Sequence, residues 1–168
     1  MKMNLRELID TVRDEGYSQA NAEARVCQDI VLKAIDKSAF ADHITVKGGV
    51  VMRSITGDAR RATQDMDLDF IRYSLRDDSI RSFVSRLNCL DGVTIQIAGE
   101  IEELSQQEYH GKRVFITITD ETSYSLRSKI DLPSGNHHRQ AFFFNLKVKV
   151  PIHGGQLRLA AFELRKIS

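Results

Sequence analysis

Cysteine, proline and net charge are what this chain has least of, and each scarcity removes a class of protein. Its two cysteines, Cys27 and Cys89, have no CxxC spacing and both fall within helical patterns. The expectation is two reduced, packed thiols in a reducing compartment, with no disulfide framework. Two prolines in 168 residues, with no biased or repeated stretch, leave no linker and no repeat array. Twenty-four Lys and Arg against 23 Asp and Glu give a net charge of +1. That is no overall electrostatic footprint for nucleic acid, though local basic patches remain open. No apolar core follows Met1-Lys2-Met3-Asn4-Leu5-Arg6-Glu7, and no segment reaches the roughly 18 uninterrupted apolar residues of a membrane span. A soluble, cytoplasmic protein with no membrane partner is predicted. No P-loop, dinucleotide fingerprint or Ser/His/Asp set can be assembled. His137-His138 have no partner at ligand spacing, so a plain loop outweighs a zinc site.

What is present suits one globular domain over residues 1–168, with 42% hydrophobic and 28% charged residues. Asn4 with Glu7 forms a capping-box pattern ahead of Leu5, Leu8, Ile9 and Val12 at helical spacing. Ser18 can cap a longer helix whose stripe is Val26, Cys27, Ile30, Val31, Ala34 and Ile35. Ile44-Thr45-Val46 reads as a strand delivering Lys47-Gly48-Gly49, and Val50 to Ile55 as a short helix ending near Gly57. Asp77 or Asp78 can cap a helix carrying Ile80, Phe83, Val84 and Leu87. Then the period changes to two: Val93 to Ile97, Val114 to Ile118, Leu126 to Leu132, and Phe144 to Ile152. Turn signals stand at Ala98-Gly99, His110-Gly111-Lys112, Pro133-Ser134-Gly135-Asn136 and His153-Gly154-Gly155. Leu157 to Ala161 suits a strand, and Phe162, Leu164 and Ile167 begin a helical pattern. Helices first and strands later predict an α+β domain with a mixed sheet flanked by helices, divided into N-terminal helices (1–40) and a core (44–168).

Asp65-Met66-Asp67-Leu68-Asp69 is the segment richest in chemistry. On a strand its three carboxylates share one face, about 6 to 7 Å apart in succession, while Met66, Leu68 and Phe70 share the other. Like charges so placed repel unless a cation or solvent intervenes. A hard divalent ion such as Mg²⁺, which takes oxygen ligands and shares them with phosphate, is the simplest cation; a solvated edge strand is the plainer alternative. Gly48-Gly49 between a strand and a helix lets backbone N–H groups approach a phosphate, although most glycine pairs are only turns. Two metals clamping a phosphoryl transfer sit about 3.5 to 4 Å apart and need a further acid. Asp131 is the candidate, on a polar face with Ser125, Arg127 and Lys129; it equally suits the start of a turn. Arg53, Arg60 and Arg61 could neutralise phosphate charge, or be solvated surface. Lys147 and Lys149 read as solvent-facing.

Taken together, Lys47-Gly48-Gly49, Arg53, Gly57, Arg60 or Arg61, Thr63 and Asp65-Met66-Asp67 resemble the "KGG … R … G … R-x-[ST]-x-D-x-D" signature of the AbiEii type of nucleotidyltransferase, within the polymerase-β-like superfamily. The resemblance implies a mixed-sheet nucleotidyltransferase core, an NTP donor and two Mg²⁺. It makes Asp65 and Asp67 metal ligands, and Asp131, in Lys129-Ile130-Asp131, is similar to the third family acid. Members are often toxins of toxin–antitoxin and phage-defence pairs, and some transfer nucleotides to tRNA ends. The leading expectation is Mg²⁺-dependent transfer of a nucleotide from NTP to a hydroxyl acceptor, tRNA or protein, by a toxin with a cognate antitoxin. Lys47, Gly48, Gly49, Arg53 and Arg61 would bind the triphosphate, and Asp65, Asp67 and Asp131 would hold metal and acceptor. The likeness runs from about residue 44 to 132. By the same resemblance, the expectation is that the family's C-terminal helical region is missing here and that Lys166 is a remnant of its lysine. A catalytically incomplete domain serving as a protein-binding module is the alternative, and a glycosyltransferase with an Asp-x-Asp metal site ranks last.

Overall fold

The computed structural model describes residues 3–47, 64–106, 109–134, 147–148 and 162–163, with backbone alone for Lys47, Gln106, Tyr109 and the last four. Gly48, Gly49, Arg53, Arg60, Arg61, the helix expected at Val50 to Ile55, His137-His138, Lys149, Lys166 and the expected strand at Leu157 to Ala161 lie outside the described residues.

Helix α1 (Leu5–Asp14) starts where Asn4 turns extended, its side-chain oxygen accepting from Arg6 and Glu7 N–H at 3.1 and 3.2 Å. The box closes through the Asn4 side-chain amide, which donates to Glu7 Oε1 at 3.2 Å. Ser18 Oγ accepts from Asn21 N–H at 3.3 Å and opens α2 (Gln19–Lys37). Both helices begin where the sequence places their caps, and they bury Leu5, Ile9 and Val12, and Val26, Cys27, Ile30, Val31, Ala34 and Ile35.

Strands β1 (Ile44–Lys47) and β2 (Met66–Phe70) are followed by α3 (Asp77–Arg86), then β3 (Val93–Ile97), β4 (Glu102–Gln106), β5 (Tyr109–Asp120) and β6 (Ser125–Ser134). They form one six-stranded mixed sheet in the order β1-β2-β6-β5-β3, in which β2–β6 is parallel and the other pairs are antiparallel. Strands β3 and β4 both pair along the outer edge of β5, one after the other, because Gly99 at φ +78° turns the chain between them. One sheet face presents Ile44, Val46, Met66, Leu68, Ile95, Val114, Ile116, Ile118, Ile130 and Leu132 to a single core shared with the three described helices. Asp120 ties that assembly at its end: its carboxylate accepts from Leu5 N–H at 2.9 Å, Thr122 Oγ1 at 2.7 Å and the N–H groups of Thr122 and Tyr124.

The α+β reading with helices first therefore holds, but several local expectations are corrected. His110-Gly111-Lys112 is no turn; it lies inside β5, paired to both β4 and β6. Gly111 is required there because a Cβ would meet Leu132 O and come within 2.8 Å of Pro133 Cα. Strand β4 was not expected, since Glu102, Glu103 and Ser105 show no apolar alternation. Pro133 and Ser134 lie within β6, and Gly135-Asn136 of the expected turn lie outside the described residues. Helix α3 is capped by neither aspartate: Arg76 is the N-cap, without a side-chain bond, and Asp77 and Asp78 occupy the first turn. Cys89 lies past α3 and is exposed, whereas Cys27 is buried and burial pushes its thiol up to about 12. Of the expected strand at Phe144 to Ile152, Lys147–Val148 is described and pairs antiparallel with Phe162–Glu163, so Phe162 does not begin a helix.

Candidate functional site

The sheet face opposite the core is built in rows, and its composition follows from register. The parallel pairing sets Met66 beside Ile130 and Asp67 beside Asp131. Paired residues point to the same side, so with Met66 and Ile130 in the core, Asp67 and Asp131 stand together on the other face, their backbones about 4.8 Å apart. Lys47 pairs with Asp67 on one flank, and Arg113 pairs with Asp131 on the other. One row across four strands thus reads Lys47, Asp67, Asp131, Arg113. Two residues earlier on β6, Lys129 pairs with Phe115, and Asp65, one residue ahead of β2, lies beside Lys129. Asp69 opposite Thr45 continues the face in the other direction.

Cations already engage these acids. Arg113 donates through Nε to Asp131 Oδ1 at 2.8 Å and through Nη2 to Oδ2 at 3.0 Å, a two-point fork that matches carboxylate geometry. Those bonds raise the guanidinium pKa above its ordinary value, so Arg113 is a permanent charge. Lys129 Nζ lies 2.9 Å from Asp65 Oδ1. Arg127, further along the same face of β6, stands over the Phe115 ring at 5.2 Å from its centroid.

Asp65, Asp67 and Asp131 are therefore brought to one face, with Asp65 exposed, Asp67 half-buried and Asp131 buried. Gly48, Gly49, Arg53 and Arg61 fall outside the description, and of Lys47 only the backbone position beside Asp67 is given. Among the described residues no three His, Cys, Asp or Glu side chains gather closely enough to hold a metal by themselves. The donors suit a hard divalent cation in their chemistry: all are anionic oxygens, and Asp67 and Asp131 are adjacent across one register step.

Sequence reasoning missed Arg113 and assigned Lys129 only to a polar face. The signal was countable, because the Asp120 to Tyr124 turn fixes Thr119 opposite Ser125, and equal steps back along both strands bring Arg113 opposite Asp131.

The sequence model of a family described as "Nucleotidyl transferase AbiEii toxin, Type IV TA system" matches residues 30–142, about two thirds of the chain. The match runs from within α2 to beyond the end of β6 and so contains every row of the face. No curated protein matches the chain. No described helix is long and apolar enough to cross a membrane.

Proposed function

The chain belongs to the AbiEii nucleotidyl transferase toxin family, and from that premise we propose that it transfers a nucleotide from an NTP to a hydroxyl acceptor, tRNA or protein, in a Mg²⁺-dependent reaction. Asp65, Asp67 and Asp131 are the residues that would hold the metal. Bound there, Mg²⁺ would neutralise phosphate charge as pyrophosphate leaves. Arg113 keeps both oxygens of Asp131 in fixed directions, which casts Asp131 as a ligand and a positioner of the acceptor hydroxyl. Lys47 leads from its place beside Asp67 into Gly48-Gly49, and these with Arg53 and Arg61 would take the triphosphate. As the family is a toxin family, a cognate antitoxin is the protein partner this reading requires.

One observation carries the reading: two acids about sixty residues apart in the chain are register partners in the single parallel ladder among the described strands. Catalysis of this kind is mainly positioning and charge neutralisation, so Asp67→Ala should abolish turnover while leaving the fold intact. Labelled NTP, Mg²⁺ and bulk tRNA, or total protein as acceptor, provide the assay. Labelling by Asp67→Ala at the wild-type level would overturn the proposal.

A further inference from the structure

On the outer sheet face the acids are confined to one end. From Lys129 back toward the start of β6, with Phe115 to Thr119 on β5 and Thr94 and Gln96 on β3, the outward-pointing described residues include the cations Lys129 and Arg127 and no carboxylate. An aromatic ring stands within this stretch. Phe115 pairs with Lys129, next to the row of Asp131 and Arg113, and alternates with the buried Val114 and Ile116. It is half-buried, yet it belongs neither to the hydrophobic core nor to the partly buried residues packed against that core. Exposed Arg127 stands over the ring, 5.2 Å from its centroid, and Thr117 and Gln96 lie in its row.

Resting on the nucleotidyl-transfer reading above, we propose that Phe115 and Arg127 seat the acceptor, and that the acceptor is a single-stranded RNA end: one base stacks on Phe115, Arg127 takes an adjoining phosphate, and the terminal hydroxyl is led toward Asp131. Every base has a face that stacks on an aromatic ring, and every nucleotide brings a negative charge. A ring and a guanidinium side by side therefore match the two repeating features of a polynucleotide strand, and an extended peptide repeats neither. The separation suits the task. Phe115 is one row from Asp131 along the strands, about 6 to 7 Å, and one strand across, about 4.8 Å, hence about 8 Å by the diagonal. A base on the ring is within a nucleotide or so of the hydroxyl that reacts. Thr117 and Gln96 each donate and accept hydrogen bonds, as a ribose 2′-hydroxyl does, which favours RNA over DNA. Phe115 and Arg127 act here as positioning residues.

The test is fluorescence anisotropy of a labelled single-stranded RNA of about eight nucleotides, titrated with the full chain at several salt concentrations and without NTP. Phe115→Leu should bind at least about fivefold more weakly, because stacking on one base is lost, and Phe115→Tyr should bind as wild type does. Arg127→Met should weaken binding and lower the slope of log affinity against log salt by about 0.7, the share of one single-strand phosphate. Arg6→Met removes the cation of another arginine–aromatic pair, over Tyr124, and should change neither affinity nor slope. DNA of the same sequence should bind more weakly than the RNA. A wild type that binds no RNA, a Phe115→Leu variant that binds as wild type, an Arg6→Met variant that matches Arg127→Met, or equal affinity for DNA would each overturn the RNA seat. The labelling assay with Asp67→Ala reports on transfer separately. Loss of the seat leaves transfer to a protein acceptor standing, whereas wild-type labelling by Asp67→Ala overturns the reading on which the seat rests, even where RNA is bound.

Discussion

Asp131 is a carboxylate with little water around it, and Arg113 supplies what the solvent does not. Arg113→Met would leave that charge desolvated and unpaired. Because the arginine is itself partly exposed, the cost should be about 1 to 3 kcal/mol and not the larger penalty of a fully buried pair. Urea midpoints of the variant and of the Arg113→Met/Asp131→Asn double variant check this, with the double variant recovering part of the loss. Asp120 makes a second residue-scale prediction. Burial pushes its carboxyl up, but the N–H of Leu5, the Thr122 hydroxyl and the N–H groups of Tyr124 and Thr122 together outweigh burial and hold it below the ordinary carboxylate range. Its stabilising contribution is thus fully present above the unfolded-state value and fades as pH falls through the lower folded-state value. Asp120→Asn should lose about 1 to 3 kcal/mol near pH 7, and the gap to wild type should close in acid, as urea midpoints from about pH 7 to about pH 3 would show.

At the scale of elements, the strands that build the acidic face were the most legible. Asp67 and Asp69 alternate with Met66 and Leu68, and Lys129 and Asp131 with Ile130 and Leu132, so burial on one side dictates the other. Period alone failed where packing was not what made the strand. Strand β4 has little to bury and exists because the edge of β5 offers a ladder to pair with. Gly111 looked like a turn residue, yet its missing side chain serves the close approach of β6. Gly111→Ala should therefore cost more than its small added volume suggests, about 2 kcal/mol or more, since Leu132 O and Pro133 are backbone and ring atoms that cannot swing aside. Thermal unfolding checks it; a melting temperature within a degree or so of wild type would contradict the close approach. The cap of α3 was misread for a related reason: two aspartates in a first turn gain from the helix dipole without either having to cap.

For the whole molecule, helices before strands and a mixed sheet followed from the change of period along the chain. The neighbours of β6 did not. Pairing with β5 is local and could be counted from the turn, but pairing with β2 depends on α3, β3, β4 and β5 having taken their places in between. The meeting of Asp67 with Asp131 is a property of topology, invisible to any window of sequence, whereas the family signature around Asp65 and Asp67 was visible because it is contiguous.

That parallel ladder has a consequence for biosynthesis. At about 5 to 20 residues per second, some 3 to 13 s separate the emergence of Asp67 from that of Asp131, and β2 has no strand to lie against on that side until the β5–β6 hairpin closes. Throughout that interval a growing chain carries Asp67 without its register partner. However early Asp67 leaves the ribosome, its pairing with Asp131 has to wait for the hairpin that carries the later acid.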